Sequence, residues 1–402
     1  MAPAAPFNPP SPDLPGKPHV PKWVPPPPTK ETHNFAELHS VDLSLLDSPD
    51  PKVQEDLVQK VKEAIREDGF LFLENYGVSL EQLHRQFAIA QYLFRNFSDE
   101  EKQRLLFHPE ERGTWEGYKH PYGFKRERGT PDFYEQFNFY PPEWADHNLW
   151  PKVLLPFADE IEAFATYLTT SVNRRLLTLF SRALELPDDY LWDNVQSKGS
   201  PSGEGYFRHA LYSPVDDATI KAGKGMRMLG HNDFGTTTLL FSVPISCLQI
   251  WGTDEQWHYV PYKPGALVIN IGETLEIVSG GHFKATRHRV YQPPADQAHE
   301  ERLSLVLFNS SVGDLRMTPV DSSPLIKREG CVDSQGLYRE FKRVMDQGVP
   351  IPTNRQWREI NIAKAPDPLD PVSQSVGKDQ AIIDGKLVTE RELLGVRVVL
   401  PV

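Results

Sequence analysis

Two periodicities divide the chain: apolar residues at three- and four-residue steps dominate its first half, and short alternating or compact apolar runs dominate the part beyond Tyr206. Val53, Leu57, Val58, Val61, Ala64 and Ile65 predict a helix across DPKVQEDLVQKVKEAIREDG, closed by Gly69. HSVDLSLL before it and FLFLENYGV after it read as short strands. SLEQLHRQFAIAQYLFRNF is again amphipathic, with Ser79 as N-cap and Gln82 three residues later completing a capping box, and Ser98 opens a further helix. From about Phe157 to Leu186 a stripe of Phe157, Ile161, Phe164, Leu168, Val172, Leu176 and Leu179 predicts a scaffold helix facing the core.

Beyond YFRHALYSP the pattern shortens to strands at 236–243, 248–251, 257–261, 266–271, 284–290 and 303–308. Such close spacing suits an antiparallel double-sheet jelly roll. The polar, glycine-bearing DDATIKAGKGMRM reads as a loop, and LYREFKRVMDQG as one late helix. Residues 1–34 are dense in proline, which fixes φ and removes amide donors, so a polyproline arm laid over the surface is expected, with Trp23 as its anchor. The predicted units are therefore the arm at 1–34, a mixed helical domain at 35–200, a jelly roll at 201–320, and a C-terminal helix and tail at 321–402. The fold class is α+β, mainly β: a double-stranded β-helix with N-terminal helices packed against it and a C-terminal covering helix.

A formal charge of −12 removes the clustered basic face that a nucleic-acid partner needs. Cys247 and Cys331 are too few for a disulfide framework, and Cys247 lies in the apolar run ISCLQIW, where a buried reduced thiol is expected. The expected compartment is cytoplasmic. No run of about 18 apolar residues offers a membrane span, and MAPAAPFNPP lacks the charged start and apolar core of a secretion signal. The expected partner is a small molecule rather than a nucleic acid or a membrane.

Candidate chemistry concentrates between Met226 and Asn309. His231 and Asp233 stand two apart at the head of the apolar run TTTLLF; placed on a strand, they would face one side and could share an ion. His288, 57 positions after His231, offers a third ligand. Two histidines and one carboxylate leave three positions open on an iron, the arrangement expected of a non-haem Fe(II) oxygenase. Arg302 and Ser304, also two apart in an apolar strand, would present a guanidinium fork and a hydroxyl to one carboxylate. His108/Glu110 and His299/Glu301 repeat the His-x-acid spacing, but neither pair heads an apolar strand.

These pieces resemble the iron and 2-oxoglutarate-dependent dioxygenases of the isopenicillin N synthase-like superfamily, through His231-Asn232-Asp233-Phe234-Gly235, the run from Pro264 to Glu273, Ser279 to Val290, and Arg302-Leu303-Ser304. Gly280, Ala285 and the 14-residue step from His288 to Arg302 depart from the family pattern, the last reading as a lengthened surface turn. The resemblance implies Fe(II), 2-oxoglutarate and molecular oxygen, with His231, Asp233 and His288 as catalytic metal ligands. It places Arg302 and Ser304 on the distal carboxylate of 2-oxoglutarate, and Tyr212 beside them, although Ser213 replaces the usual following proline. It also implies a substrate-side loop at TWEGYKHPYGF, a pocket wall at Phe137 and Phe139, and a late helix over the mouth of the barrel. Arg208 could meet an acidic substrate or pair with a carboxylate at the sheet edge. The implied activity is hydroxylation, desaturation or cyclisation of a small organic molecule, by family analogy a secondary metabolite. A 2-oxoglutarate-independent iron oxidase and a non-catalytic small-molecule-binding jelly roll are the alternatives that the residues leave open.

Overall fold

The computed structural model describes residues 5–12, 14–108, 114–121, 133–140, 147–200, 203–333, 336–362, 380–383, 386–393 and 396–401. Its strands in chain order are β1 (Ser40–Asp42), β2 (Phe70–Glu74), β3 (Gly117–Lys119), β4 (Tyr134–Phe139), β5 (Tyr206–Tyr212), β6 (Met226–His231) and β7 (Thr237–Phe241). Next come β8 (Leu248–Trp251), β9 (Trp257–Tyr259), β10 (Leu267–Ile271), β11 (His288–Tyr291), β12 (Arg302–Phe308), β13 (Gln380–Ile383), β14 (Lys386–Leu393) and β15 (Val396–Pro401). A larger sheet runs β1-β2-β10-β7-β12-β5-β4-β3 and a smaller one β6-β11-β8-β9, while β13 to β15 form a separate antiparallel meander. Strands from the first 140 residues thus extend both edges of the larger sheet.

Each strand of the larger sheet has two unlike faces. Leu71, Leu239, Phe241, Ile269, Leu303, Leu305, Leu307, Phe207 and Phe137 join the main hydrophobic core, built with the helices Pro51–Glu67, Leu80–Asn96, Ala158–Tyr167 and Arg174–Ala183. Phe70, Phe72 and Val268 point the other way and pack with Leu248, Ile250 and Val260 of the smaller sheet's side. Alternation with a period of two is what lets one strand serve a helix layer and a second sheet at once.

Local signals account for the helices. Asp50 caps Pro51–Glu67 by accepting from the Lys52 amide, with proline at the first position where no donor is lost. Ser79 and Gln82 form the expected capping box. The predicted long helix at 157–186 runs from Ala158, with a wider turn at Leu168–Asn173 before Arg174–Ala183. Trp23 is 9 % exposed and stacks on Phe87 at 4.3 Å, which ties the proline-rich arm to the helix Leu80–Asn96.

Two expectations need correction. DDATIKAGKGMRM is not a loop throughout: Asp216 caps a short helix, Asp217–Ala222, and Met226 already begins β6. No residue of the helix Gly336–Asp346 lines the cavity between the sheets that the late helix was expected to cover. Its apolar side, Leu337, Phe341 and Val344, instead forms a second small core with Ile277, Met317 and Trp357. Among the described residues, no helix is long and apolar enough to cross a membrane.

Candidate active site

β6 and β11 pair so that His231 lies directly opposite His288, and the two rings sit 4.4 Å apart between centroids. β6 ends at His231, so Asp233 is not on a strand with it, as the spacing had suggested. A turn from His231 to Gly235 returns the chain to β7 and brings the carboxylate back to the imidazole. Gly235 is required there: a Cβ would lie 2.1 Å from the Asn309 carbonyl oxygen, so only a bare backbone can cross at that point.

Asp233 Oδ1 lies 3.6 Å from His231 Nε2 and 3.7 Å from His288 Nε2. These three form a cluster whose candidate ligand atoms are all within 4.8 Å of one another, and no other such group occurs among the described residues. That spacing suits three bonds of about 2.1 Å to one central ion. The other oxygen, Oδ2, accepts from Thr238 Oγ1 at 2.6 Å and Asn270 Nδ2 at 2.8 Å, which leaves Oδ1 turned to the histidines. His288 Nδ1 lies 3.2 Å from the Thr286 carbonyl oxygen. A carbonyl can only accept, so Nδ1 carries the proton and Nε2 keeps its lone pair for a metal.

The electrostatics favour the same set. Burial acts to raise the Asp233 carboxyl, but the His288 and His231 rings and the Thr238 hydroxyl outweigh it and hold it well below the ordinary carboxylate range. Burial, with the His231 ring beside it, lowers the His288 imidazole to about 4 against the opposing pull of Asp233. An ionised carboxylate and a neutral imidazole are the forms that bind a cation.

The triad opens on a cavity of about 250 Å³ between the sheets. Arg302, Ser304, Tyr212 and Arg208 all line it. Arg302 is directly opposite Tyr212 in the β12–β5 register, and its guanidinium lies 5.1 Å from that ring's centroid. Arg302 is 6 % exposed and its Nε has no hydrogen-bond partner. A buried, unsatisfied guanidinium donor beside the Ser304 hydroxyl fits a carboxylate ligand, since leaving such a donor unpaired costs about 1–3 kcal/mol.

Phe137 and Phe139 do not reach the cavity. Both are 1 % exposed on the helix-facing side of β4, where Phe139 packs on Trp150, Phe207 and His209. The polar residue between them, Asn138, faces the other way and holds Arg208, while Gln136 lines the cavity. Several lining residues carried no usable pattern in the sequence. Thr238 looked like any strand residue, Asn270 like part of an apolar run, and Arg358 comes from the helix Asn354–Ile362, far along the chain. Arg358 pairs with Glu204 at the cavity wall. Trp115, from the glycine-aromatic stretch, also lines the cavity; residues 122–124 of that stretch lie outside the described residues.

Comparison with known proteins agrees with this geometry. Residues 206–311 match the model of the 2OG-Fe(II) oxygenase superfamily, and residues 38–153 the N-terminal region of the non-haem dioxygenases described from morphine synthesis. The chain belongs to the 2OG-Fe(II) oxygenase superfamily and is a 2-oxoglutarate-dependent dioxygenase that uses Fe(II) and oxygen. It is 25 % identical to jasmonate-induced oxygenase 3 of Arabidopsis thaliana over 317 residues, 78 % of this chain and 81 % of that one. It is 27 % identical to the 2-oxoglutarate-dependent dioxygenase frbA of Dothideomycetidae sp. (strain 11243), over 73 % of this chain and 90 % of that one. Among solved structures, a full-length Neurospora crassa protein in complex with alpha-KG and thymine superposes with a TM-score of 0.67 at 19 % identity, covering 83 % of this chain and 99 % of that one. That structural likeness is one of fold, the jelly roll; it is the family match and the related sequences that favour, of the readings open from sequence, the 2-oxoglutarate-dependent enzyme.

Proposed function

We propose that this dioxygenase oxidises a C–H bond of a small organic molecule, a secondary metabolite, in the cavity between its sheets. His231, Asp233 and His288 hold the iron there. The observation that carries this reading is the convergence of three ligand atoms, two of them 3.6 and 3.7 Å from the Asp233 oxygen, on a cavity whose wall also carries Arg302. The chemistry a bound ferrous ion supplies is the coupling of 2-oxoglutarate decarboxylation by oxygen to oxidation of the substrate.

The protein's own part is to bind, orient and exclude water. Arg302 and Ser304 take the distal carboxylate of 2-oxoglutarate by charge-assisted hydrogen bonds, and the Tyr212 ring fixes the guanidinium from its face. Thr238 and Asn270 prevent the Asp233 carboxylate from rotating, so one oxygen stays committed to the metal. Asn232 Nδ2 donates to the Ala285 carbonyl oxygen at 2.7 Å and ties the ligand-bearing turn to the segment leading into His288. The C-terminal part covers the cavity through Arg358 of the helix Asn354–Ile362, and Arg208 contacts the substrate.

The test is succinate formation from 2-oxoglutarate by the iron-loaded protein in air. His231→Ala and Asp233→Ala are expected to abolish it, and Arg302→Gln to raise the KM for 2-oxoglutarate roughly 10- to 100-fold. Succinate formation unchanged in His231→Ala would refute the assignment.

A further inference from the structure

The charges lining the cavity do not cancel. They are Asp233, Glu204, Arg208, Arg302 and Arg358, besides the two ligand histidines. Asp233 belongs to the metal cluster, Glu204 pairs with Arg358, and Arg302 is the anchor assigned to 2-oxoglutarate. Arg208 remains. Among the described residues no carboxylate pairs with it: its Nε donates to Asn138 Oδ1 at 2.8 Å and one terminal nitrogen to the Tyr206 hydroxyl at 3.3 Å, both neutral acceptors. A guanidinium in a cavity wall with only neutral partners lacks its counter-charge.

Its surroundings narrow what could supply one. Arg208 and Tyr212 lie four residues apart on β5, so Arg208 begins roughly 13 Å along the strand from the register position of Arg302. One 2-oxoglutarate carboxylate on Arg302 leaves the second arginine for a different molecule. Arg208 lies 4.8 Å from the Phe308 ring centroid and 5.3 Å from that of Tyr206. Tyr206 in turn stacks on Phe308 at 4.7 Å and on Tyr140 at 4.8 Å, so the three rings form a face-to-face stack beside the cation, with Tyr206 in the middle. All three rings line the cavity, and the edges of such a stack receive an apolar or aromatic body. With Nε held by Asn138, the terminal nitrogens are the edge left to meet a carboxylate.

Resting on the assignment of Arg302 to the co-substrate, we infer that the oxidised substrate is itself a carboxylic acid, with its carboxylate on Arg208 and an apolar, unsaturated or aromatic body against Tyr140, Tyr206 and Phe308. Arg358 is not the anchor, because Glu204 already neutralises it.

The test is a binding panel of arylalkyl, unsaturated and aliphatic monocarboxylates, each with its primary amide. It is run on protein loaded with Fe(II) and saturating 2-oxoglutarate, with oxygen excluded, and followed by tryptophan fluorescence, since Trp115 lines the cavity. At least one acid is expected to bind about tenfold or more tightly than its amide, as a charge-assisted fork contact predicts. The preference should disappear in Arg208→Gln, fall part-way in Arg208→Lys, and persist in Arg302→Gln, while retained 2-oxoglutarate binding shows that the Arg208 variants are folded. The inference is overturned if no acid outbinds its amide, if the preference survives in Arg208→Gln, or if it vanishes in Arg302→Gln, which would put the probes on the co-substrate anchor. Undiminished 2-oxoglutarate affinity in Arg302→Gln would instead overturn the co-substrate assignment and leave the Arg208 comparison to be read by itself.

Discussion

Thr238 and Thr237 are adjacent on β7 and face opposite ways, so one substitution made at each separates the site from the scaffold. Thr238 is 5 % exposed and donates to Asp233 Oδ2 at 2.6 Å; Thr237 is 1 % exposed and donates to Asn173 Oδ1 at 2.6 Å on the helix side. Thr238→Val keeps the shape and removes the donor. A hydrogen bond to a charged, buried acceptor contributes about 1.5–3 kcal/mol, and Asn270 remains as the other donor to that oxygen. If that loss appears as freedom of the carboxylate to turn away from the histidines, ferrous ion should bind roughly 10- to 100-fold more weakly. Calorimetric titration of Fe(II) into metal-free protein under anaerobic conditions measures it directly. Thr237→Val should lower the unfolding free energy by about 1–3 kcal/mol and leave the iron affinity as it was. Equal iron affinity in Thr238→Val and the unaltered protein, or equal losses in the two variants, would refute the claim that Thr238 acts by orienting Asp233.

Two further outcomes follow from the packing. Burial raises the Glu276 carboxyl to about 7 from an ordinary 4.5, even though Ala285 and Tyr338 amides donate to it at 2.7 Å. The folded state therefore holds that proton more tightly than the unfolded state. Its contribution is fully present below about 4.5 and is lost as pH rises through about 7, a span of about 3 kcal/mol. Urea unfolding from pH 4 to 8 should show that slope in the unaltered protein and not in Glu276→Gln; parallel curves would exclude it. Phe139→Ala should cost about 3–5 kcal/mol of stability, because the ring is 1 % exposed between Trp150, Phe207 and His209, yet leave the KM for 2-oxoglutarate unchanged. A selective rise in that KM without loss of stability would return Phe139 to the cavity wall.

Much of the site was legible because a metal set and a carboxylate fork are written in residue type and short spacing. Even so, the route to Asp233 differed from the one the spacing suggested. His231 ends a strand because it must pair with His288, and Asp233 returns to it only because Gly235 lets the turn pass the Asn309 carbonyl. Spacing alone cannot tell a strand from the turn that ends it. The sheet strands were legible where apolar residues were bounded by turn residues, and β6 was missed because its six residues, MRMLGH, show neither alternation nor a β-branched run.

The error at Phe137 and Phe139 has a more general cause. On β4 the apolar side, Phe137 and Phe139, meets the helix layer, while on the other side Gln136 lines the cavity and Asn138 holds Arg208 of its wall, so on this strand hydrophobicity marks the core and polarity marks the site. The same inversion holds on β5, where Phe207 and Leu211 are core while Arg208 and Tyr212 line the cavity, and on β12, where Leu303 and Leu305 are core while Arg302 and Ser304 line it. A polar residue that interrupts an apolar strand of a two-layer sheet is costly unless it finds a partner: Arg208 finds the wall residue Asn138 and Arg302 is open to a ligand, whereas His209, buried on the core side of β5 with neither ring nitrogen hydrogen-bonded, is the exception. Arg208 and Arg302 are such interruptions, which is why both were visible from sequence. Arg358 was not, because its partner Glu204 lies 154 positions away and no local pattern joins them. Contacts of that reach depend on how the helix Asn354–Ile362 is seated. Its buried Trp357 donates to Glu273 at 3.0 Å, and the Glu273 amide donates to the Asp233 carbonyl oxygen at 2.7 Å, so a helix beyond the matched family regions is linked through one residue to the metal-binding turn.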